Sequence, residues 1–360
     1  MDRFSLKTEI ISGAGAVNAL GELGCRRVFL VTDPFFARNG TAEKVAAAAK
    51  AQAVEIFDQV EPDPSVELAA RGTARLRDFV PDTVIALGGG SAMDCAKAMA
   101  WFAKGCYRLV AIPTTSGSGS EVTDFAILTH GNVKYPLVDA GIRPDIAILD
   151  SDLLTGLPKS LIADAGFDVL SHAVEATAAK NAGQISDMYA REAFRGAYGA
   201  LPASFSGRSD VRLKVHMAAT LAGVAFSQAG LGLCHALSHS LGGMFHVPHG
   251  RLNAILLPAV VGCNVHVAGK KYAELARSAG MGGSADTIAI RNLKSGLIRL
   301  RHDMELPQTL AQAGIPSRSL WSNIGSIVQS TLDDPCCKTN PVTPDDFMVR
   351  RILEEVAGRG

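Results

Sequence analysis

Short apolar runs, each cut off by a turn residue, punctuate roughly the first 150 positions of the chain. Arg27-Val-Phe-Leu-Val-Thr32 stops at Asp33, Thr83-Val-Ile-Ala-Leu87 at a glycine triplet, Leu109-Val-Ala-Ile112 at Pro113, and Ile146-Ala-Ile-Leu149 at Asp150. Helix-like stretches lie between them, over residues 41–51 and 65–79. Short buried strands alternating with helices predict a parallel α/β sheet. Period-two alternation in Phe4-Ser-Leu-Lys-Thr-Glu-Ile10 predicts an outer strand.

The pattern changes at Leu157-Pro158. Residues 161–180, 186–201, 211–229, 233–243, 267–278 and 344–356 all read as helix, and no convincing strand follows. A chain of 360 residues also exceeds what one core usually organises. The expected organisation is an α/β dinucleotide-binding domain over residues 1–155, with a parallel sheet, and an all-helical metal- and substrate-binding domain over residues 156–360.

Composition narrows the class. Hydrophobic residues make up 48% and charged residues 19%, which allows a large core and excludes disorder. Lysine plus arginine equals aspartate plus glutamate, 35 each, so charge gives no case for nucleic acid or an anionic membrane as partner. Residues 1–10 lack the basic end and apolar run of a signal peptide. The longest apolar candidate for a membrane span, residues 254–262, is short and holds Pro258. Seven scattered cysteines without a CxxC pair argue against a disulfide framework or cysteine-bound zinc and fit a reducing cytoplasm.

Two glycine- and hydroxyl-rich segments follow predicted strands. Gly88-Gly-Gly-Ser-Ala-Met-Asp94 opens a helix, where glycines let a phosphate approach free N–H groups. It is not a GxGxxG fingerprint. The plain alternative is a tight turn with Ser91 as helix cap, but three glycines exceed what a turn needs. Pro113-Thr-Thr-Ser-Gly-Ser-Gly-Ser-Glu-Val-Thr123 offers many donors to a pyrophosphate or ribose, or is a flexible surface loop. Asp33 ends a third strand. Its carboxylate either accepts the hydroxyls of an adenosine ribose, which would repel a 2′-phosphate, or merely caps the next helix.

The helical half carries a histidine cluster. Asp168 and His172 are four apart, as are His235 and His239, and His249 follows in Pro248-His249-Gly250. Residues at i and i+4 share a helix face, so each pair can aim two donors into one cavity. One carboxylate with imidazoles is a normal set for a catalytic divalent metal. Spacing does not say which of His235 and His239 binds. His216 and His246 are further candidates, with His216 expected on a polar helix face. His130 and His266 read as surface residues, and Cys234 as a buried small hydrophobe rather than a nucleophile. A metal site and a dinucleotide site together predict alcohol dehydrogenation: a Lewis acid at the substrate oxygen and a nicotinamide as hydride carrier.

These residues carry a family resemblance. Gly88-Gly-Gly-Ser-Ala-Met-Asp94, the 113–123 segment, Gly166-Phe-Asp-Val-Leu-Ser-His-Ala-Val-Glu175, Gly230-Leu-Gly-Leu-Cys-His-Ala-Leu-Ser-His239 and Pro248-His-Gly-Arg-Leu-Asn-Ala254 together resemble the iron-containing (group III) alcohol dehydrogenases over essentially the full length. Within that family, Lys134-Tyr-Pro-Leu137, Ala225-Phe-Ser-Gln-Ala-Gly-Leu-Gly232 and Gly242-Gly-Met-Phe-His-Val-Pro-His-Gly250 look closest to the 1-propanol dehydrogenases of bacterial propanediol utilisation. The resemblance implies a dehydroquinate-synthase-like α/β domain plus an all-α domain, and NADH-linked reduction of a short-chain aldehyde. It implies Asp168, His172, His235 and His249 as ligands of Fe2+, with Zn2+ as the alternative, and His239 as a catalytic residue beside the substrate. Gly89, Gly90 and Ser91 would hold the pyrophosphate. Thr114, Thr115, Ser118 and Thr123 would line the cofactor channel, Lys134 would lie near the nicotinamide ribose, Asp94 would belong to the same cofactor set, and Asp33 would favour NAD over NADP. A homodimer, and microcompartment shell proteins as partners, would follow from the subgroup.

Two positions depart from the family pattern. Asp63 stands where members often carry asparagine, and would further disfavour a 2′-phosphate or simply face water. Asn340-Pro-Val342 replaces an Asn-Pro-Arg sequence, which puts a substrate-edge contact in doubt. Two rival readings are a dehydroquinate-synthase-like lyase and a non-catalytic nucleotide-binding member. The scarcity of lysine and arginine near the histidines argues against the first, and the intact ligand set against the second.

Overall fold

A computed structural model describes residues 4–131 and 133–358. Residues 1–3, the start of the segment expected to lack a signal peptide, lie outside the described residues. The chain divides into two compact units, Ser5–Gly156 and Leu157–Gly360, with Phe4 joining the second by stacking on Tyr189.

The first unit is built on eight strands: β1 (Glu9–Gly13), β2 (Arg27–Val31), β3 (Ala53–Phe57), β4 (Thr83–Gly88), β5 (Arg108–Pro113), β6 (Phe125–His130), β7 (Val133–Val138) and β8 (Ile146–Asp150). Its helices are α1 (Pro34–Arg38), α2 (Thr41–Ala48), α3 (Val66–Phe79) and α4 (Gly90–Ala103). Six strands form one parallel sheet in the order β1-β8-β5-β4-β2-β3. Successive side chains of a strand face opposite sides, and here both sides are apolar. Phe29, Val31, Val84 and Ala86 pack towards α3 and α4, while Val28, Leu30, Ile85 and Leu87 pack with α2 residues. That two-sided burial is why these strands read as continuous apolar runs.

Three differences from the sequence reading have physical causes. The outer strand is Glu9–Gly13 rather than residues 4–10, and it does lie at a sheet edge beside β8. The opposite edge, β3, and the antiparallel hairpin β6–β7 were not anticipated. Both are half-exposed, so their patterns mix apolar and polar positions and lack the uniform runs of the central strands.

The second unit is all helix among the described residues: α5 (Lys159–Ala178), α6 (Gln184–Phe205), α7 (Arg212–Ala229), α8 (Leu233–Phe245), α9 (His249–Ser278), α10 (Asp286–Asp303), α11 (Ser317–Ser322), α12 (Ile324–Asp333) and α13 (Asp346–Val356). α5 is buried along nearly its whole length, with α6, α7, α8 and α9 packed against it. Two close approaches fix α9 to α5. A Cβ on Gly250 would stand 1.9 Å from the Asp164 carbonyl oxygen, so only glycine fits there. One residue on, Arg251 grips the Asp164 carboxylate through Nε and Nη2 at 3.2 and 2.9 Å.

α9 runs 30 residues through Pro258 and begins well before residue 267, where a helix was expected to start. Proline lacks the N–H that would bond the carbonyl four residues back, that of Ala254. Arg301 of α10 supplies the missing donor: its Nη1 lies 3.1 Å from the Ala254 oxygen and 3.1 Å from that of Ile255. By length and composition α9 would also pass as a membrane span, but 67% of its most apolar window is buried inside the unit, as for a core helix. Arg301→Met should therefore destabilise the protein by about 1–3 kcal/mol, the cost of leaving buried acceptors unmet. Arg299→Met, on the exposed side of α10, should stay within about 0.5 kcal/mol. Denaturant midpoints of the two variants check this; equal midpoints would show that Pro258 needs no compensation.

Candidate functional site

In the α/β unit, β2 and β4 are neighbours from which the chain winds outward in opposite directions, to β3 on one side and β5 on the other. Such a reversal leaves a crevice at the carboxyl ends of the strands, where ligands bind in open α/β sheets. Asp33 follows β2, the glycine triplet follows β4, and Thr114 follows β5. Gly88 has φ of 147° and leads into Gly89, the N-cap of α4, which makes no side-chain capping bond. Ser91 lies inside the first turn and is not the cap. The loop after β5 presses on the glycines: a Cβ on Gly89 would stand 3.3 Å from Thr115 Oγ1, and one on Gly90 3.3 Å from the Ser118 Cβ.

Two oppositely charged side chains of α4, Lys97 and Asp94, hold that loop in place, meeting through Ser120. Lys97 Nζ donates to Ser120 Oγ at 2.8 Å, Thr123 Oγ1 at 3.0 Å and the Phe125 carbonyl at 3.0 Å. Asp94 accepts from Ser120 Oγ at 2.8 Å and from the Ile127 N–H at 3.0 Å. Burial pulls the Lys97 ammonium down to about 8 against the attraction of Asp94 and Glu121. Thr123 is fully buried. Asp94 and Thr123 thus brace the loop from behind, a role their motif positions did not reveal. Asp33 Oδ1 caps α1, accepting from the N–H groups of Phe35 and Phe36 at 2.8 and 3.2 Å. Its Oδ2 points towards Gly88, 3.7 Å from where a Cβ would stand. Lys134 Nζ is paired with Asp63 Oδ1 at 2.6 Å, so Asp63 neither stands alone in water nor acts as an isolated negative charge.

In the helical unit three helices aim side chains at one point. α5 supplies Asp168 and His172, α8 supplies His235 and His239, and α9 supplies His249. Asp168 Oδ1 lies 3.7 Å from His172 Nε2, 3.7 Å from His235 Nε2 and 3.5 Å from His249 Nε2. The His172 and His235 rings stack with centroids 4.6 Å apart. His239 does not reach this carboxylate oxygen. Its ring stacks on His249 at 5.1 Å, and its Nδ1 meets Asp334 Oδ2 at 2.9 Å.

The electrostatics suit a cation. Burial favours the neutral Asp168 carboxyl, but His172, His235 and His249 override it and hold the group well below the usual carboxylate range. Burial disfavours a charged His235, yet contacts with Asp168 and Glu175 raise it to about 9. Burial pushes His249 well below its ordinary value against the pull of Asp168, with the neighbouring imidazoles acting in the same direction as burial, so its nitrogen keeps a lone pair to offer. Tetrahedral coordination at about 2.1 Å sets donor–donor separations of roughly 3.4 Å. One carboxylate oxygen at 3.5–3.7 Å from three imidazole nitrogens fits such an ion. The donor atoms of Asp168, His235 and His249 all lie within 4.8 Å of one another, as do those of His239, Asp334 and Cys336 beside them.

Two family models match the chain: iron-containing alcohol dehydrogenase over residues 7–151, and the C-terminal part of the Fe-containing alcohol dehydrogenase family over residues 162–357. The chain belongs to the iron-containing alcohol dehydrogenases. It is an enzyme of NAD-linked alcohol dehydrogenation with the α/β-plus-helical fold of that family. It is 39% identical to 1-propanol dehydrogenase PduQ of Citrobacter freundii over 371 residues, covering 99% of this chain and 100% of the relative. It also resembles the solved iron-containing alcohol dehydrogenase of Thermococcus thioreducens, at 33% identity and a TM-score of 0.89, over 98% of this chain and 99% of that one. A third relative is sulfoacetaldehyde reductase of Bifidobacterium kashiwanohense, solved with NAD+, at 26% identity and a TM-score of 0.89 with full coverage of both.

The geometry of this alcohol dehydrogenase also shows what sequence reasoning missed. Glu175 sits one turn past His172 on α5 and is buried. Its carboxylate accepts from His235 Nδ1 at 2.5 Å and from the N–H groups of Gly232 and Cys234 at 3.0 and 2.6 Å, so it orients His235 and caps α8 together. Asn253, four residues after His249, donates to Asp168 Oδ1 at 2.9 Å while its own oxygen accepts from Ser238 Oγ at 2.5 Å. Helical spacing (i, i+4, i+7 from Asp168) could have flagged Glu175; nothing local marks Asp334. His216 is a correction: it is 1% exposed, packed among small residues of α7, and not on a polar face. His246 is exposed, and so are His130, paired with Glu67, and His266. Cys234 is buried with its thiol raised well above its ordinary value, chiefly by burial, which suits a packing role. Asn340 ties the start of α8 to α9, accepting from the Leu233 N–H at 3.1 Å and Asn264 Nδ2 at 3.0 Å.

Carboxylates that orient a ligating histidine are typically worth about 10- to 100-fold in metal affinity. Glu175→Gln should lose roughly that much, read by chelator competition and elemental analysis. Unchanged affinity would reduce Glu175 to a helix cap.

Proposed function

We propose that the chain reduces propionaldehyde to 1-propanol with NADH, and runs the reverse oxidation, using a divalent cation held by Asp168, His172, His235 and His249. The observation that carries this reading is the single buried carboxylate oxygen facing three imidazole Nε2 atoms at 3.5–3.7 Å. When bound, such a cation supplies Lewis acidity at the substrate oxygen, and a nicotinamide ring supplies or accepts the hydride. Iron is the ion in the family's description; three imidazoles and a carboxylate suit zinc as well. The likeness to 1-propanol dehydrogenase PduQ supports the three-carbon substrate. The homodimer and the microcompartment setting rest on the subgroup resemblance alone.

The chain's own residues have distinct tasks in this reading. The glycines and the uncapped start of α4 receive the pyrophosphate, with Ser91, Thr114, Thr115 and Ser118 as hydroxyl donors around it. Asp94 and Thr123 keep that loop in register through Lys97. Lys134, held by Asp63, marks the nicotinamide-ribose end of the site. His239 exchanges the substrate proton at Nε2, since Nδ1 is already engaged by Asp334. Arg251, the basic residue nearest His249 in sequence, is committed to Asp164, which leaves it ill-suited to grip a phosphorylated substrate of the lyase type.

The direct test loads the protein with iron or zinc and follows NADH absorbance with propionaldehyde. Preference for a phosphorylated substrate in competition would overturn the reading. Cofactor choice is expected to follow Asp33. Glycine is a tolerated N-cap, so Asp33→Gly should fold, bind NAD less well and accept NADP better. An unchanged ratio of the two kcat/KM values would leave Asp33 as a cap only.

His235 and His239 separate cleanly by their roles. His235→Ala should be metal-poor and inactive, because three donors hold a divalent ion much less tightly than four. His239→Ala should keep its metal and lose roughly 10²- to 10⁴-fold in rate. Elemental analysis of both proteins decides; equal metal loss would make His239 a ligand as well.

A further inference from the structure

We infer that Asp334 is the positioning residue for His239, holding its ring as the tautomer that is protonated at Nδ1 and leaves Nε2 as the proton acceptor. This rests on the proposed role of His239 in proton exchange. The carboxylate is the residue immediately after α12, 95 positions from the histidine in sequence, and only 13% of its side chain is exposed. Its two oxygens are divided. Oδ1 accepts from the Cys336 N–H at 2.8 Å and starts the 3-10 turn Pro335–Lys338, while Oδ2 faces His239 Nδ1 at 2.9 Å.

An ionised carboxylate only accepts hydrogen bonds, so the nitrogen facing it must carry the proton. Burial raises the Asp334 carboxyl, but the bond and charge of His239, together with the Cys336 N–H, outweigh it and keep the group below its ordinary value. The ring is also fixed in plane: it stacks on His249 with centroids 5.1 Å apart and an interplanar angle of 17°. One edge is therefore tied to Asp334 and one face to a proposed metal ligand. Nε2, at the other end of the ring, is left to address a substrate oxygen near the cation. A buried aspartate fixes tautomer and orientation of the histidine in the same way in Ser-His-Asp triads.

Asp334→Asn separates this role from capping. Asparagine is an equally favoured N-cap, so the Cys336 contact and the turn survive. The amide NH2 then faces Nδ1 and demands the opposite tautomer. In zinc-loaded protein we expect kcat to fall by about 10²-fold or more, KM for aldehyde to stay within about threefold, and metal content to stay unchanged. The double variant with His239→Ala should be no slower than His239→Ala alone, because residues acting through one another do not add. Nitrogen NMR shifts of His239 should show Nδ1–H in the unmodified protein and Nε2–H in Asp334→Asn. An Asp334→Asn enzyme with near-normal kcat, a multiplicative double variant, or the same tautomer in both proteins would each overturn the inference. A His239→Ala enzyme at full rate would overturn the reading of His239 itself, while the nitrogen shifts would still decide whether Asp334 sets the tautomer.

Discussion

A negative charge buried at Asp168 sets the terms for the helical unit. An isolated carboxylate in such a place would cost several kcal/mol or take up a proton. Here it is met instead by three imidazoles on three different helices and by the Asn253 amide. Each helix brings a pair at the spacing of one turn or slightly more: Asp168 with His172, His235 with His239, His249 with Asn253. Three helix faces can converge on one atom only if the backbones approach closely. Gly250 against Asp164, and the small residues along α5 and α7, permit that approach. The packing and the polar centre thus constrain one another: widening the core would separate the donors, and removing the donors would leave a charge inside apolar walls.

The charges around His235 extend the same logic. Its two nitrogens face two carboxylates, Glu175 at Nδ1 and Asp168 at Nε2. Two buried negative charges prefer two positive ones, which is what a divalent cation brings. Protons are its competitors, as the elevation of His235 to about 9 indicates. A site with this balance would select for charge and geometry first and for the identity of the ion second, since three imidazoles and a carboxylate suit iron and zinc alike.

Much of this was readable in the chain. The central strands announced themselves as apolar runs because both faces are buried, and the histidine cluster because the i, i+4 pairs Asp168–His172 and His235–His239 survive folding unchanged; the choice of His235 over His239, and the place of His249, came from the family resemblance and not from spacing. What stayed hidden depends on contacts far apart in sequence. The stretch of α9 before residue 267 went unread as helix, and the donor that compensates Pro258 there, Arg301, lies on another helix. Glu175 lay inside a quoted motif, but its partner at His235 is 60 positions away. Asp334, 95 positions from His239, sits in a stretch with no pattern at all. His216 was placed on a polar face because hydropathy treats histidine as polar, whereas alanine and glycine neighbours let helices close over it. Spacing reveals which side chains share a face; only packing reveals what that face meets.

The α/β unit reaches order by the opposite charge arrangement. An ammonium has three protons to give, and Lys97 places all three, on Ser120, Thr123 and the Phe125 carbonyl. Asp94 then accepts from Ser120 and from Ile127 in β6. A loop of glycines and hydroxyls would by itself be a mobile surface segment, and ordering it at the moment of binding would weaken the affinity for any ligand. With its far end fixed to α4 through Lys97 and its near end bonded from the Thr114 N–H to the Gly88 carbonyl, most of that ordering is complete beforehand. The residues that make the loop look flexible in sequence are those that can touch a cofactor. The residues that make it rigid are buried beneath, and carry the charges.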